Sequence, residues 1–159
     1  MAKVTVKVKF DSDIFTDSLK EEVGAAIVDE IKSFAAAGQS AVRGEGRFEQ
    51  YSGQSDPTKY PNNVKGKYPG KKLRPVNLSL TGEYLKSLKA VVKNNSIGIS
   101  ITGAKNILKF QTHNEGTNPN VPERRILPSR QGESFAVSIE RIYIDLMSKI
   151  VSDRLRKKK

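Results

Sequence analysis

From Lys3 to Phe10 the chain alternates. Val4, Val6, Val8 and Phe10 fall on one side, and Lys3, Thr5, Lys7 and Lys9 on the other. A period of two predicts a strand with one buried face, and the lysines opposite discourage stray pairing along its edge. The period then lengthens. Leu19, Val23, Ile27 and Ile31 recur every fourth residue, with Phe34 one turn on. This predicts a helix from Asp13 to about Ala37. Asp13 or Asp17 can cap its start, acids gather in its first turns where the dipole favours them, and Gly38 supplies a C-terminal cap.

From Gln39 to Pro75 no period is visible. Gly44, Gly46, Gly53, Gly66 and Gly70 mix with Pro57, Pro61, Pro69 and Pro75, and Phe48, Tyr51, Tyr60 and Tyr68 are scattered among them. A stretch this long without its own elements is usually functional or disordered. Val76 to Leu88 reads as a short strand, a turn at Thr81-Gly82 with Thr81 as a possible N-cap, and a short helix holding Tyr84, Leu85 and Leu88. Lys89 to Thr102 reads as a hairpin about Asn94-Asn95, with Ile97, Ile99 and Ile101 alternating. Ala104 to His113 fits either a short helix or a third strand, and a loop follows from Asn114 to Pro128. Glu133 to about Arg156 is a second long helix, with Phe135, Ile139, Ile142, Leu146 and Ile150 on one stripe. The expected class is α+β: a small, mainly antiparallel sheet packed against two long amphipathic helices, with a long irregular basic loop. At 159 residues the chain is expected to be a single domain over 1–159, with a loop insertion at 39–75 and a basic tail at 154–159.

Charge sharpens this picture. Pro57 to Arg74 carries six cations (Lys59, Lys65, Lys67, Lys71, Lys72, Arg74) and Arg154 to Lys159 carries five, with no acid in either. Together these two segments hold the whole formal excess of +11. Such segments suit polyanions, either nucleic acid or an acidic patch on a partner; simple solvation is the plain alternative. Cysteine is absent, so neither a disulfide framework nor a thiolate metal site is open to the chain. A zinc site at the one histidine, His113, would need two carboxylates beside it, and no spacing such as HExxH offers them. No apolar run approaches the roughly 20 residues that span a bilayer, and "MAKVTVKVKF" lacks a signal-peptide core. The expectation is a soluble protein made in a reducing cytoplasm, without cofactor or metal.

The stretch "HNEGTNPNVPERRILP", His113 to Pro128, concentrates the remaining chemistry. His113 with Glu115 is a conceivable base and partner, but a catalytic histidine needs a nucleophile within reach. The chain has no cysteine and no Gly-x-Ser-x-Gly elbow, so a histidine bonded to nearby backbone is the favoured reading. "RGEGRFEQ" superficially suggests a phosphate loop but lacks the completing Lys-Ser/Thr. The basic segments with interleaved tyrosines could take single-stranded nucleic acid, yet they match no base-reading motif. Arg124-Arg125 could clamp a carboxylate or phosphate bidentately, or be a solvated pair. Pro119, Pro122 and Pro128 stiffen the loop, and a stiff loop loses less entropy on docking.

These pieces, in this order, resemble the tail-completion and neck proteins of long-tailed bacteriophages, also grouped as virion morphogenesis, head–tail joining or tail terminator proteins. The resemblance runs from about Arg47 to the C-terminus. It is carried by "RFEQYS" (Arg47 to Ser52, with Phe48 and Tyr51) before a basic loop, and by Leu80, Thr81 and Gly82 opening a short helix. His113 and Gly116 follow, then Pro122, Arg124, Arg125, Ile126, Leu127 and Pro128 ahead of the last helix. The resemblance implies a structural virion protein without catalysis, assembled in the host cytoplasm as a homo-oligomeric, usually sixfold, ring at the head-proximal end of the tail. Its implied partners are its own copies, the head connector or adaptor, and tail tube or sheath proteins, with nonspecific contact to duplex DNA in the lumen. Candidate assembly residues are Arg47, Phe48, Tyr51, Thr81, Gly82, His113, Gly116, Pro122, Arg124, Arg125 and Leu127, together with Lys65, Lys67, Lys71, Lys72 and Arg74 of the basic loop. A small basic DNA-binding protein without sequence specificity is the alternative.

Overall fold

The computed structural model describes residues 4–9, 16–50, 76–78, 81–93 and 96–156. Among them, β1 (Val4–Lys9), β2 (Leu88–Lys93) and β3 (Ser96–Ile101) form one antiparallel sheet in the order β1-β3-β2. The helices are α1 (Asp17–Ala36), α2 (Glu83–Lys86), α3 (Ala104–Asn114) and α4 (Val137–Arg156). The class is α+β, with a small antiparallel sheet.

The register explains the alternation. Ile97, Ile99 and Ile101 of β3 stand between Val8, Val6 and Val4 of β1 and Val92, Ala90 and Leu88 of β2. All three isoleucines are buried, so the central strand supplies an apolar row to the core. α1 packs on this row through Val23, Ile27, Ile31 and Ala35, none more than 2% exposed. Gly24 sets how closely it lies: a Cβ there would fall 2.5 Å from the Ala90 Cβ and 3.2 Å from Ile97 Cγ2. α4 packs on α1. It brings Ile139 into the core, with Ile142, Tyr143 and Leu146 half-buried beside it.

Several boundaries differ from the periodicity. α1 begins at Asp17 with Thr16 as its cap; the Thr16 hydroxyl accepts from the Leu19 backbone N–H at 3.3 Å. A threonine three residues before a free N–H does this without an aspartate. Asp13 lies outside the described residues. At the other end Gly38, at φ +70°, donates its N–H to the Ala35 carbonyl while Gln39 donates to Phe34. This Schellman closure satisfies carbonyls that the helix leaves free. Ala104 to Asn114 is a helix, not a third strand, because Ile107, Phe110 and Asn114 recur at three and four residues and present one side inward.

Two larger expectations change. The irregular insertion does not begin at Gln39. Residues 39–50 are part of the packed body: Ala41, Val42 and Phe48 are buried, Gln39 bridges to Arg47, and Val42 bridges to Phe135. The expected loop is thereby reduced to 51–75, which lies outside the described residues. The last helix starts at Val137, not Glu133. Backbone bonds from Arg43 to the Ser134 carbonyl and from Ala136 to the Ala41 carbonyl hold residues 134–136 extended. The helix also runs to Arg156, so the first half of the expected basic tail is helical, its arginines at the end where the dipole favours cations.

Candidate assembly site

The loop after α3 is built from its buried polar foot upward. Asn114, the last residue of α3, is fully buried. Its Nδ2 donates to the Leu127 carbonyl at 2.9 Å and to Ser129 Oγ at 3.1 Å, and its Oδ1 accepts from the N–H groups of Ile126 and Leu127 at 2.7 and 2.9 Å. Two donors and two acceptor sites are all a side-chain amide has. One residue thus fixes the returning arm of the loop against the end of the helix.

Arg124 and Arg125 complete the foot. Both are buried, at 1% and 3% exposure. The Arg124 N–H donates to the His113 carbonyl; its guanidinium donates from Nε to the Glu49 carbonyl at 3.0 Å and from Nη2 to that of Gln50 at 3.1 Å. Arg125 Nε donates to the Asn114 carbonyl at 3.2 Å, and its two terminal nitrogens grip the Glu133 carboxylate bidentately, with Glu45 a further partner at 3.4 Å. Glu133 in turn accepts from the N–H groups of Ser129 and Arg130 at 3.0 and 2.8 Å. The arginine fork holds this carboxyl well below the usual range, at about 2, and the carboxylate raises the Arg125 pKa. From the other side, Ser40 donates to the Arg125 carbonyl at 2.8 Å and accepts from the Val42 N–H at 3.1 Å. Segments 40–50, 113–114, 124–127 and 129–133 are tied into one buried network.

Above this foot the tip is exposed. Glu115, Thr117, Asn118, Pro119, Asn120 and Glu123 all face solvent. Yet the tip has its own bonds: Thr117 N–H to the Gln111 carbonyl at 3.2 Å, Val121 N–H to the Asn118 carbonyl at 3.0 Å, and Asn120 N–H to Asn118 Oδ1 at 3.0 Å. Glu123 pairs with Arg130. Gly116 turns the chain at φ +64°, and a Cβ there would fall 2.8 Å from Glu123 Cγ. Both the backbone angle and the space call for glycine at this point.

The candidate residues therefore separate. Arg124, Arg125 and Leu127 belong to the foot, and Leu127 is fully buried. The arginine pair is neither solvated nor free to clamp a ligand; Arg125 clamps a carboxylate, but the chain's own Glu133. Phe48 is a core residue at 9% exposure. His113 is half-buried, and its carbonyl is what the Arg124 N–H finds. Pro122 is half-buried and Arg47 exposed. Thr81 and Gly82 lie elsewhere, before α2: the Thr81 hydroxyl accepts from the Glu83 N–H at 3.4 Å, and Gly82, at φ +78°, takes the cap position expected of Thr81. Tyr51, Lys65, Lys67, Lys71, Lys72 and Arg74 lie outside the described residues. Asn114, Glu133, Ser40 and Glu45 were not singled out by the sequence. Their partners are 2 to 85 residues away, and only Asn114's position at the end of an apolar period hints at a role.

Among the described residues no cluster of three His, Cys, Asp or Glu could hold a metal ion, and no helix is long and apolar enough to cross a membrane. Neither the family models, nor the curated proteins, nor the solved structures contain a match to this chain.

Proposed function

We propose that this chain is a structural assembly subunit of a phage neck. In this reading it completes the tail and joins it to the head connector as a closed ring of identical copies. The observation that carries the reading is the division of the His113–Pro128 loop into a buried polar foot and an exposed, internally bonded tip. A protein that dedicates Asn114, Arg124, Arg125, Glu133 and Ser40 to holding one surface loop still presents a preorganised docking element. Preorganisation reduces the ordering cost of association. The resemblance in motif order points to the same role, and the concentration of cationic excess in two segments suits register and steering against an acidic partner ring or DNA in a lumen.

With the arginines internal, the contact surface moves to the tip, at Thr117, Asn118, Asn120 and Glu123. Asn120→Arg is the direct test, since Asn120 is exposed and takes part only through its backbone. Its thermal midpoint is expected to stay within the scatter of exposed-site substitutions, about 0.5 kcal/mol, while electron microscopy shows heads and tails failing to unite. Particles that join normally without this polypeptide would refute the role. So would an isolated chain whose DNA binding falls steeply with salt as the number of phosphate contacts dictates, because that behaviour belongs to the DNA-binding alternative.

A further inference from the structure

The sheet offers two outer strands, β1 and β2, on opposite sides of β3. Among the described residues no strand flanks the outer side of β2. A groove of about 350 Å³ runs there instead, between β2 and α1. Its walls are apolar and small: Ala25 and Val28 from α1, Ala90 and Val92 from β2. Ala25 is exposed and Ala90 and Val92 are only half-buried, although they stand in the same register rows as the buried Ile99 and Ile97. At β2 the apolar sheet face is thus only partly covered by the described residues, with Ala90 lying under Gly24 of α1. On the α1 rim the groove carries Glu21 and Asp29, the latter paired with Lys32 at 3.5 Å, and Lys89 stands at the β2 side.

We infer that this groove receives β1 of a second copy, so that the sheets of neighbouring subunits join edge to edge. This deepens the proposed ring and rests on that reading. Three observations select the occupant. β1 is itself an outer strand, so its outer edge is the counterpart of that of β2. Its sequence, VTVKVK, repeats valine at every second position, the period an extended sheet face requires. Both outer strands run antiparallel to β3 and hence parallel to each other. A neighbour related by rotation then presents β1 alongside β2 in a parallel ladder, and the neighbour's own β2 remains free to receive β1 of the next copy. Such a head-to-tail contact uses two different patches and closes by rotation into a ring. Main-chain bonds supply the affinity and the covered Ala90, Val92, Ala25 and Val28 add apolar burial.

The absence of cysteine makes the test clean. Lys7 and Val91 share a register row through Gly98, and Thr5 and Lys89 share the next through Ser100. Lys7→Cys and Val91→Cys are purified separately, checked for an unchanged thermal midpoint, mixed, and treated with a short bismaleimide that tolerates a stagger of a residue or two. Thr5→Cys with Lys89→Cys is the second pair should either first variant unfold. The expected result is a cross-linked dimer in the mixture and none from either variant alone, with a ladder ending at the ring in the double variant. A peptide of sequence MAKVTVKVKF should suppress it. Dimers from Val91→Cys alone would mean a two-fold β2 seam and would overturn the proposal. Oligomers of ring mass without β1–β2 cross-links would overturn the seam and leave the ring standing. A monomer at every concentration by sedimentation would remove both.

Discussion

Asn114 is the residue on which the loop turns. Replacing it with alanine removes four hydrogen bonds and strands the N–H groups of Ile126 and Leu127 and the Leu127 carbonyl in a buried site. Each unsatisfied buried group costs about 1–3 kcal/mol, so Asn114→Ala is expected to lose at least about 3 kcal/mol, read as a lower urea midpoint with unchanged slope. Glu133 gives a pH signature. Folded, it titrates at about 2; its ordinary value is 4.5. The unfolded chain therefore takes the proton first. The stabilisation is complete above about 4.5 and is lost as pH falls from there toward 2. Urea midpoints of the native chain should fall across that window more than those of Glu133→Gln. Above it the variant should be the weaker by a few kcal/mol, because Arg125 keeps its buried charge with only Glu45 to answer it. Equal slopes with pH in the two proteins would assign the acid sensitivity to other carboxylates. Tyr84 makes the contrast. Its hydroxyl is buried with no partner among the described residues and its pKa is pushed up by burial, so Tyr84→Phe should leave stability unchanged or raise it by about 1 kcal/mol.

At the scale of elements, the distance between α1 and the hairpin is set by a missing methyl group. On an exposed helix Gly→Ala stabilises by about 1 kcal/mol. At Gly24 the same change places a Cβ 2.5 Å from that of Ala90, and overpacking of this kind costs about 1–3 kcal/mol. Gly24→Ala is thus expected to lower the thermal midpoint, and Ala90→Gly in the same chain to recover part of the loss. A double-mutant cycle without coupling would show that α1 can retreat from the sheet freely. The same logic explains where α4 starts. Its apolar stripe begins at Phe135, but Phe135 is held by a bridge to Val42, so residues that suit a helix are drawn into extended pairing and the helix waits until Val137.

For the whole molecule, the main consequence is that residues 39–50 share a core with α1 and α4. Far-ultraviolet circular dichroism, which follows the helices, and tyrosine fluorescence should report one coincident urea transition. Phe48→Ala should shift both together, by about 3 kcal/mol or somewhat less given the partial exposure of the site. A separate early transition in that variant would mean that the segment docks onto an already finished body. The cations responsible for the basic excess fall in 57–74 and 154–159, so salt is expected to act on association more than on folding.

Local regularity was readable without any coordinates. The strand at Val4–Lys9, the hairpin, the long helix through Leu19 to Phe34 and the apolar stripe of the last helix all follow from periods of two and of three to four, since a repeating backbone turns a repeating pattern into a face. What only the tertiary structure decided is the fate of polar residues and of stretches without a period. "RR" in a proline-bearing loop reads equally as a ligand clamp or as solvated charge, and it became a buried staple because Glu133, Glu49 and Gln50 arrive from other parts of the chain. Gln39–Gln50 reads as irregular because its few apolar residues are spaced by contacts with remote segments, not by a helix or strand of its own. A hydrogen bond depends on where its partner comes to rest, and a partner 85 residues away, as the Arg125 carbonyl is for Ser40, leaves no periodic trace in the sequence.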